Sequence, residues 1–206
     1  MLLGSIFSAL KMSLKARMFN DKAASPKNRP DEILNLLDLK PGQKVADIGS
    51  GGGYFTLRFA HAVGEKGTVY AADVNEELLN YVDSNAAKEG LENVNTVRLS
   101  GEVALPEKDL DMVFMRNLYH HLNERTEYLR GLGEFLKRNG KLVVIEHKPK
   151  TGGFFSFRRL FGHSTPKKTI EEEAKAAGYV LVQDHDVLPE QNFLVFTYVK
   201  PHTSKS

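Results

Sequence analysis

The chain of 206 residues contains no cysteine. It therefore has no disulfide framework, no thiolate nucleophile, no cysteine-ligated zinc and no iron–sulfur cluster. No apolar run approaches the roughly 18 residues that a membrane span needs, and there is neither an internal repeat nor a low-complexity tract. Charge of one sign is also scarce: 28 Lys and Arg stand against 26 Asp and Glu, a formal net charge of +2. What is present, 41% hydrophobic and 26% charged residues, excludes wholesale disorder and fits one globular core with a small appendage.

The even total hides an uneven distribution. Within residues 1–30, Lys11, Lys15, Arg17, Lys22, Lys27 and Arg29 face Asp21 alone, a local charge of +5 that leaves −3 for the remainder. Leu3, Phe7, Leu10, Leu14 and Met18 recur there at helical spacing, with Lys11, Lys15 and Arg17 off the stripe, the pattern of an amphipathic helix. The apolar residues precede the lysines, the reverse of a signal peptide. Three readings stay open: a helix packed over the domain or its pocket, a helix lying on a membrane surface with its basic side toward anionic lipid, and a transit peptide. Residues 1–30 are thus set apart as an amphipathic helical segment, lid or surface helix, from a domain over 31–206. A cytoplasmic protein is expected, with residues 1–20 as its route to any peripheral membrane contact.

From about residue 31, short β-rich runs alternate with amphipathic helical patterns, the signature of a parallel sheet covered on both faces. Strands are predicted over Lys44–Ile48, Thr68–Val74, Val94–Leu99, Asp111–Met115, Lys141–His147, Tyr179–Asp184 and Phe193–Val199. Helices are predicted over Pro30–Leu37, Tyr54–Val63, Glu76–Glu89 after the N-cap Asn75, Glu124–Lys137, and from Pro166 to Ala177 before Gly178. About eight residues around Leu188-Pro189 join the last two strands, too few for a helical crossover, so these pair as an antiparallel hairpin. The fold class is therefore α/β, a doubly wound sheet of seven strands, mostly parallel with one reversed. The segment Lys148–Thr165 is the one loop rich in breakers.

The sharpest motif is Val45-Ala46-Asp47-Ile48-Gly49-Ser50-Gly51-Gly52-Gly53-Tyr54-Phe55, at the junction of the first strand and its helix. Glycines there let the backbone turn tightly and approach a ligand beside helix N-terminal amides. The dinucleotide fingerprint G-x-G-x-x-G requires glycine at position 54, where Tyr54 stands, so a dehydrogenase is disfavoured. The pattern is instead Asp-x-Gly-x-Gly-x-Gly, whose carboxylate repels a pyrophosphate and attracts a cationic ligand. Asp73, about 20 residues beyond, ends the second strand where an acceptor can hold two ribose hydroxyls. Structural alternatives are a loop cap for Asp47, an N-cap for Asp73 and a mere tight turn for the glycines. Jointly the residues point to a positively charged nucleoside.

At this point the chain resembles the class I S-adenosylmethionine-dependent methyltransferases, over nearly all of residues 31–200. The resemblance implies a Rossmann-like sheet of order 3-2-1-4-5-7-6 with strand 7 antiparallel, and S-adenosyl-L-methionine as cofactor. It assigns Asp47, Gly49, Gly51 and Gly53 to the methionine part of the cofactor and Asp73 to its ribose. Ser100-Gly101-Glu102-Val103 is similar to the family's loop after the third strand, so Glu102, in place of an Asp, and the Val103 backbone are assigned to adenine; Asn117 completes the cofactor set. The segment Leu110 to Leu122, with its pair His120-His121, is similar to the fourth strand and turn of small-molecule members.

Methyl transfer from a sulfonium is an in-line displacement for which the protein holds the geometry and excludes water; a base is needed when the acceptor is a hydroxyl, an activated carbon or a protonated amine. His120 ranks first for that role and Glu146 second, each with a purely structural alternative. No ligand spacing supports a metal site at His120, His121 and Glu146. Tyr119, His121, Phe154, Phe157 and His163 are assigned to the acceptor pocket, and the loop over 151–165 with the N-terminal helix to a lid. The arrangement resembles the ubiquinone and menaquinone biosynthesis C-methyltransferase branch, which implies a small, fairly apolar acceptor. Arg116-Asn117-Leu118-Tyr119 stands where amino-group nucleic-acid methyltransferases carry Asn/Asp-Pro-Pro-aromatic, so a nucleic-acid partner is disfavoured. Arg158, Arg159, Lys167 and Lys168 keep an RNA substrate as one alternative, and a catalytically silent cofactor-binding module is another.

Overall fold

Three aliphatic runs in the first half of the chain become parallel strands because a helix on each connection covers their side chains. The computed structural model describes residues 14–101, 103–149 and 164–199, and the chain groups into two units, Met1–Pro106 and Glu107–Ser206. The first unit opens with a helix over 14–24 (α1) and continues through α2 (Pro30–Leu37), β1 (Lys44–Ile48), α3 (Tyr54–Val63), β2 (Thr68–Asp73), α4 (Glu76–Lys88) and β3 (Val94–Arg98). β1 pairs with β2 and β2 with β3, both parallel. Val45, Ala46, Ile48, Val69, Ala71 and Ala72 are wholly enclosed, as expected of strands covered on both faces. Each such Val or Ile contributes about 1.5–3 kcal/mol through burial. The Asn75 side chain caps α4, accepting from the Glu77 and Leu78 amides.

In the second unit, β4 (Leu110–Arg116), a 3-10 turn (Tyr119–His121), α5 (Arg125–Gly133), β5 (Leu136–His147), α6 (Lys167–Ala176), β6 (Tyr179–His185) and β7 (Gln191–Tyr198) follow in order. β4 and β5 are parallel; β7 runs antiparallel to both β5 and β6. The full strand order is β3-β2-β1-β4-β5-β7-β6, the order expected, with strand 7 reversed. The helix expected to reach Lys137 stops at Gly133, and β5 begins at Leu136. Two causes are local. Gly131 and Gly133 weaken the helix, and Gly133 lies so close to the Tyr198 ring that a Cβ would stand 2.5 Å from it. Within β5, Asn139 has φ 66°, and the pairing with β4 jumps from Leu136 to Lys141. β6 ends the sheet and pairs with β7 alone; its register passes from Leu181 to Gln183 and skips Val182.

Candidate functional site

In the first unit the glycine turn is built as its sequence requires. Gly49, Gly51 and Gly53 have φ of 74°, 56° and 80°, the left-handed region that glycine enters without strain. A side chain on Gly53 would also strike Val82, 2.8 Å from its Cβ position. Asp73, at the end of β2, accepts from the Gly51 amide at 3.0 Å through one carboxylate oxygen and from the Asn75 amide at 2.9 Å through the other. Each oxygen has a further lone pair, so the carboxylate fixes the turn and can still accept from a diol. Asp47 is buried and accepts a hydrogen bond from Thr56 on α3 at 2.6 Å.

Ser50, inside the turn, has a buried hydroxyl with no hydrogen-bond partner among the described residues. Buried polar atoms are ordinarily satisfied, so this one marks a place where a polar ligand is expected. With the left-handed glycines and the remaining acceptor capacity of Asp73, it leaves a turn with the polar groups that a nucleoside cofactor would need. Ser50 was not singled out in the sequence; its only signal was its place between two glycines. Val103 is half-buried, and Glu102 lies outside the described residues.

α1 lies on this turn. Asn20 Nδ2 donates to the Gly52 carbonyl at 2.8 Å, and a Cβ on Gly52 would collide with Asn20 Oδ1 and the Ala16 carbonyl. Gly52 is thus a glycine because α1 passes over it. The contact face of α1 carries Ala16 and Asn20. The described members of the apolar stripe point the other way: Leu14 is 54% and Met18 70% exposed.

The second unit holds the other candidates. Glu146 on β5 is fully buried, and His120 Nδ1 lies 3.0 Å from each of its carboxylate oxygens. The amides of His120 and His147 donate to the same carboxylate at 3.3 and 2.7 Å. A buried carboxylate is tolerable only with such partners, and this set holds the His120 ring with its Nδ1 edge toward Glu146. The His121 ring lies beside His120, with centroids 4.0 Å apart and planes tilted by 44°. Asn192 lies opposite Glu146 in the β5–β7 register, hence on the same sheet face. Its buried Nδ2 has no hydrogen-bond partner among the described residues.

Other expected site residues have structural duties. Asn117, φ 54°, donates its amide to the Ile145 carbonyl at 2.8 Å and accepts through Oδ1 from Gln191, which also binds Arg116 at 3.0 Å. Tyr119 is wholly enclosed and its hydroxyl donates to Glu173 on α6 at 2.6 Å. Burial and that carboxylate raise the phenol far above its ordinary range. It is a packing residue here, and the acceptor site proposed below does without it. Phe154, Phe157 and His163, with the loop that carries them, lie outside the described residues. Among the described residues, no cluster of three or more His, Asp or Glu is placed to hold a metal ion.

An acid-tipped first strand, three left-handed glycines and a second-strand acid within this strand order define a class I nucleoside-cofactor methyltransferase. Residues 39–193 match the family described as a methyltransferase domain; the chain belongs to that family and is an S-adenosylmethionine-dependent methyltransferase acting on a small-molecule acceptor. The ubiquinone/menaquinone biosynthesis C-methyltransferase UbiE of Shewanella baltica is 30% identical over 168 residues, 76% of this chain and 67% of that protein. A SAM-dependent methyltransferase from Aquifex aeolicus superposes with a TM-score of 0.79 at 26% identity, covering 91% of this chain and 98% of that one. The [4+2]-cyclase SpnF shares the fold alone, with a TM-score of 0.68 at 16% identity over 82% of this chain and 80% of its own.

Proposed function

We propose that the protein methylates a small, fairly apolar acceptor bearing an ionisable hydroxyl, with His120 as the proton acceptor and Glu146 as the group that orients it. The observation that carries this reading is the His120 Nδ1 contact, 3.0 Å, with a carboxylate that is itself fully buried. S-adenosylmethionine, when bound, supplies an electrophilic methyl group on a sulfonium. Asp47 and the Gly49, Gly51 and Gly53 backbone hold its methionine part, Ser50 hydrogen-bonds that part, and Asp73 accepts from the ribose hydroxyls. Glu102, Val103 and Asn117 belong on the adenine side. His120 takes the acceptor hydroxyl proton at Nε2, which raises the electron density of the acceptor for attack; Glu146 stabilises the imidazolium that results. Asn192 offers a donor to the acceptor's oxygen. His121, whose ring lies beside His120, is assigned to the acceptor's side of the site. UbiE, named a C-methyltransferase, supports methyl transfer to a carbon of the acceptor, and the proton displaced from that carbon re-forms the hydroxyl.

In this reading residues 1–30 are an accessory helical segment and 31–206 the methyltransferase domain. The protein is cytoplasmic with peripheral membrane contact. Among the described residues, no helix is long and apolar enough to cross a membrane.

The test is turnover of S-adenosylmethionine with a panel of phenolic and quinol-like acceptors. Wild type is expected to turn over at least one. Glu146→Gln and His120→Ala are expected to lose roughly 10²–10⁴ in kcat while binding S-adenosylhomocysteine as wild type does, and Asn192→Ala to raise KM more than it lowers kcat. Wild-type kcat in His120→Ala would remove the base assignment; cofactor binding without turnover of any acceptor would favour a silent module.

A further inference from the structure

One short helix contacts the cofactor turn with one face and leaves an unpaired amphipathic face outside. On a helical wheel Ala16, Phe19, Asn20 and Ala23 share the inner arc of α1, and Leu14 and Met18 lie on the opposite arc. Lys15 and Lys22 flank that outer pair on one side and Arg17 on the other, and Asp21, the one acid in the helix, lies between Arg17 and Leu14, so the outer face carries three cations against one anion. Ala16 on the inner arc is wholly enclosed and Leu14 and Met18 on the outer arc are the most exposed apolar residues of the helix, with Phe19, at the margin of the inner arc, 43% exposed. The inner side is tightly fitted, through the Asn20–Gly52 bond and Phe19, whose ring stands 3.5 Å from a Cβ placed on Gly51.

An apolar strip between basic borders is complementary to an anionic lipid surface, where the aliphatic side chains enter the interface and the cations meet headgroups. It suits a water-filled environment poorly, because Leu14 and Met18 gain nothing there.

We propose that α1 couples membrane docking to cofactor binding: its outer face seats on an anionic bilayer, and the same seating holds Ala16 and Asn20 on the Gly51–Gly52 turn. This rests on the methyltransferase reading for its second half alone. Docking restrains α1, and a restrained α1 keeps the turn that Asp73 and Gly51 share in its binding geometry. Linkage makes the effect reciprocal, so cofactor strengthens docking by the same factor that lipid strengthens cofactor binding. A fairly apolar acceptor, itself concentrated in lipid, would then meet an enzyme already loaded.

The experiment uses the full chain with two vesicle preparations, phosphatidylcholine alone and phosphatidylcholine mixed with phosphatidylglycerol, in a sedimentation assay. Titration of S-adenosylhomocysteine follows, with and without vesicles. Wild type is expected to sediment with the anionic vesicles only and to release in high salt. Its affinity for S-adenosylhomocysteine is expected to rise several-fold on them, within the roughly 5–150-fold span of such couplings. The double variant Leu14→Glu, Met18→Glu is expected to stay in the supernatant with its affinity in solution unchanged. Asn20→Ala is expected to dock as wild type and to lose the rise. Wild type remaining in the supernatant, sedimenting equally with neutral vesicles, or docking with no change in affinity overturns the proposal; so does docking by the double variant. Docking without any binding of S-adenosylhomocysteine, in solution or on vesicles, overturns the coupling and the cofactor reading together and leaves the membrane contact standing.

Discussion

Gly52 and its neighbours carry different duties that look alike in sequence. Gly49, Gly51 and Gly53 were legible because an alternating glycine pattern after an aspartate at a strand end demands left-handed backbone, and all three adopt it. Gly52 was illegible, since its need arises from Ala16 and Asn20, more than 30 residues earlier in the chain. Gly52→Ala is therefore expected to displace α1 and cost about 1–3 kcal/mol, as overpacking does. Cofactor affinity is expected to fall with it, and calorimetric titration beside thermal unfolding checks both. An affinity equal to wild type would mean that the turn keeps its shape without α1. Likewise His120 and Glu146 were legible as residue types at strand ends. Their contact depends on the β4 and β5 registers, which no local pattern specifies.

Elements were legible where one local signal dominated. Tyr54–Val63 and Pro30–Leu37 begin and end where glycine and proline punctuation put them. The misjudged boundary, α5 into β5, is the case in which helical periodicity ran through Gly131 and Gly133, and the reason for the second, the Tyr198 ring, lies about 65 residues away. The apolar stripe in α1 was equally plain, yet periodicity alone does not say whether such a stripe faces a core or leaves it, and here its described members leave it. The Tyr119 turn shows the same limit. Read as pocket-lining, Tyr119 instead ties its 3-10 turn to α6 through Glu173, which Arg125 also approaches at 3.4 Å. Tyr119→Phe is expected to lower stability by about 1 kcal/mol, the net worth of one hydrogen bond, and to leave KM and kcat unchanged. A raised KM in that variant would return the tyrosine to the acceptor site.

At the scale of the whole molecule, alkali is expected to find the second unit first. Tyr119, Tyr128, Tyr179 and Tyr198 all lie in it. Burial is the first cause raising each phenol, pushing Tyr128 up to about 12; carboxylates add to it at Tyr119 (Glu173), Tyr179 and Tyr198 (both Glu134). The folded state thus holds protons that an unfolded chain releases near the ordinary phenol value of about 10. The stabilisation is complete below that pH and is lost as pH climbs through the raised values. These four phenolates are expected to appear together with loss of circular dichroism, so phenolate absorbance preceding any loss of structure would contradict the assignment.

The skipped Val182 has a consequence outside catalysis. β6 closes the sheet with Val180, Leu181 and Val182 all exposed, a run that on a flat strand would recruit another chain and seed fibres. One residue out of register twists that edge away, and Asp184 with Lys167 places charge at its end. Resistance to fibril growth during storage at high concentration would then depend on a single unpaired valine, and a deletion that restored the ladder would yield a better-ordered sheet and a worse-behaved solution.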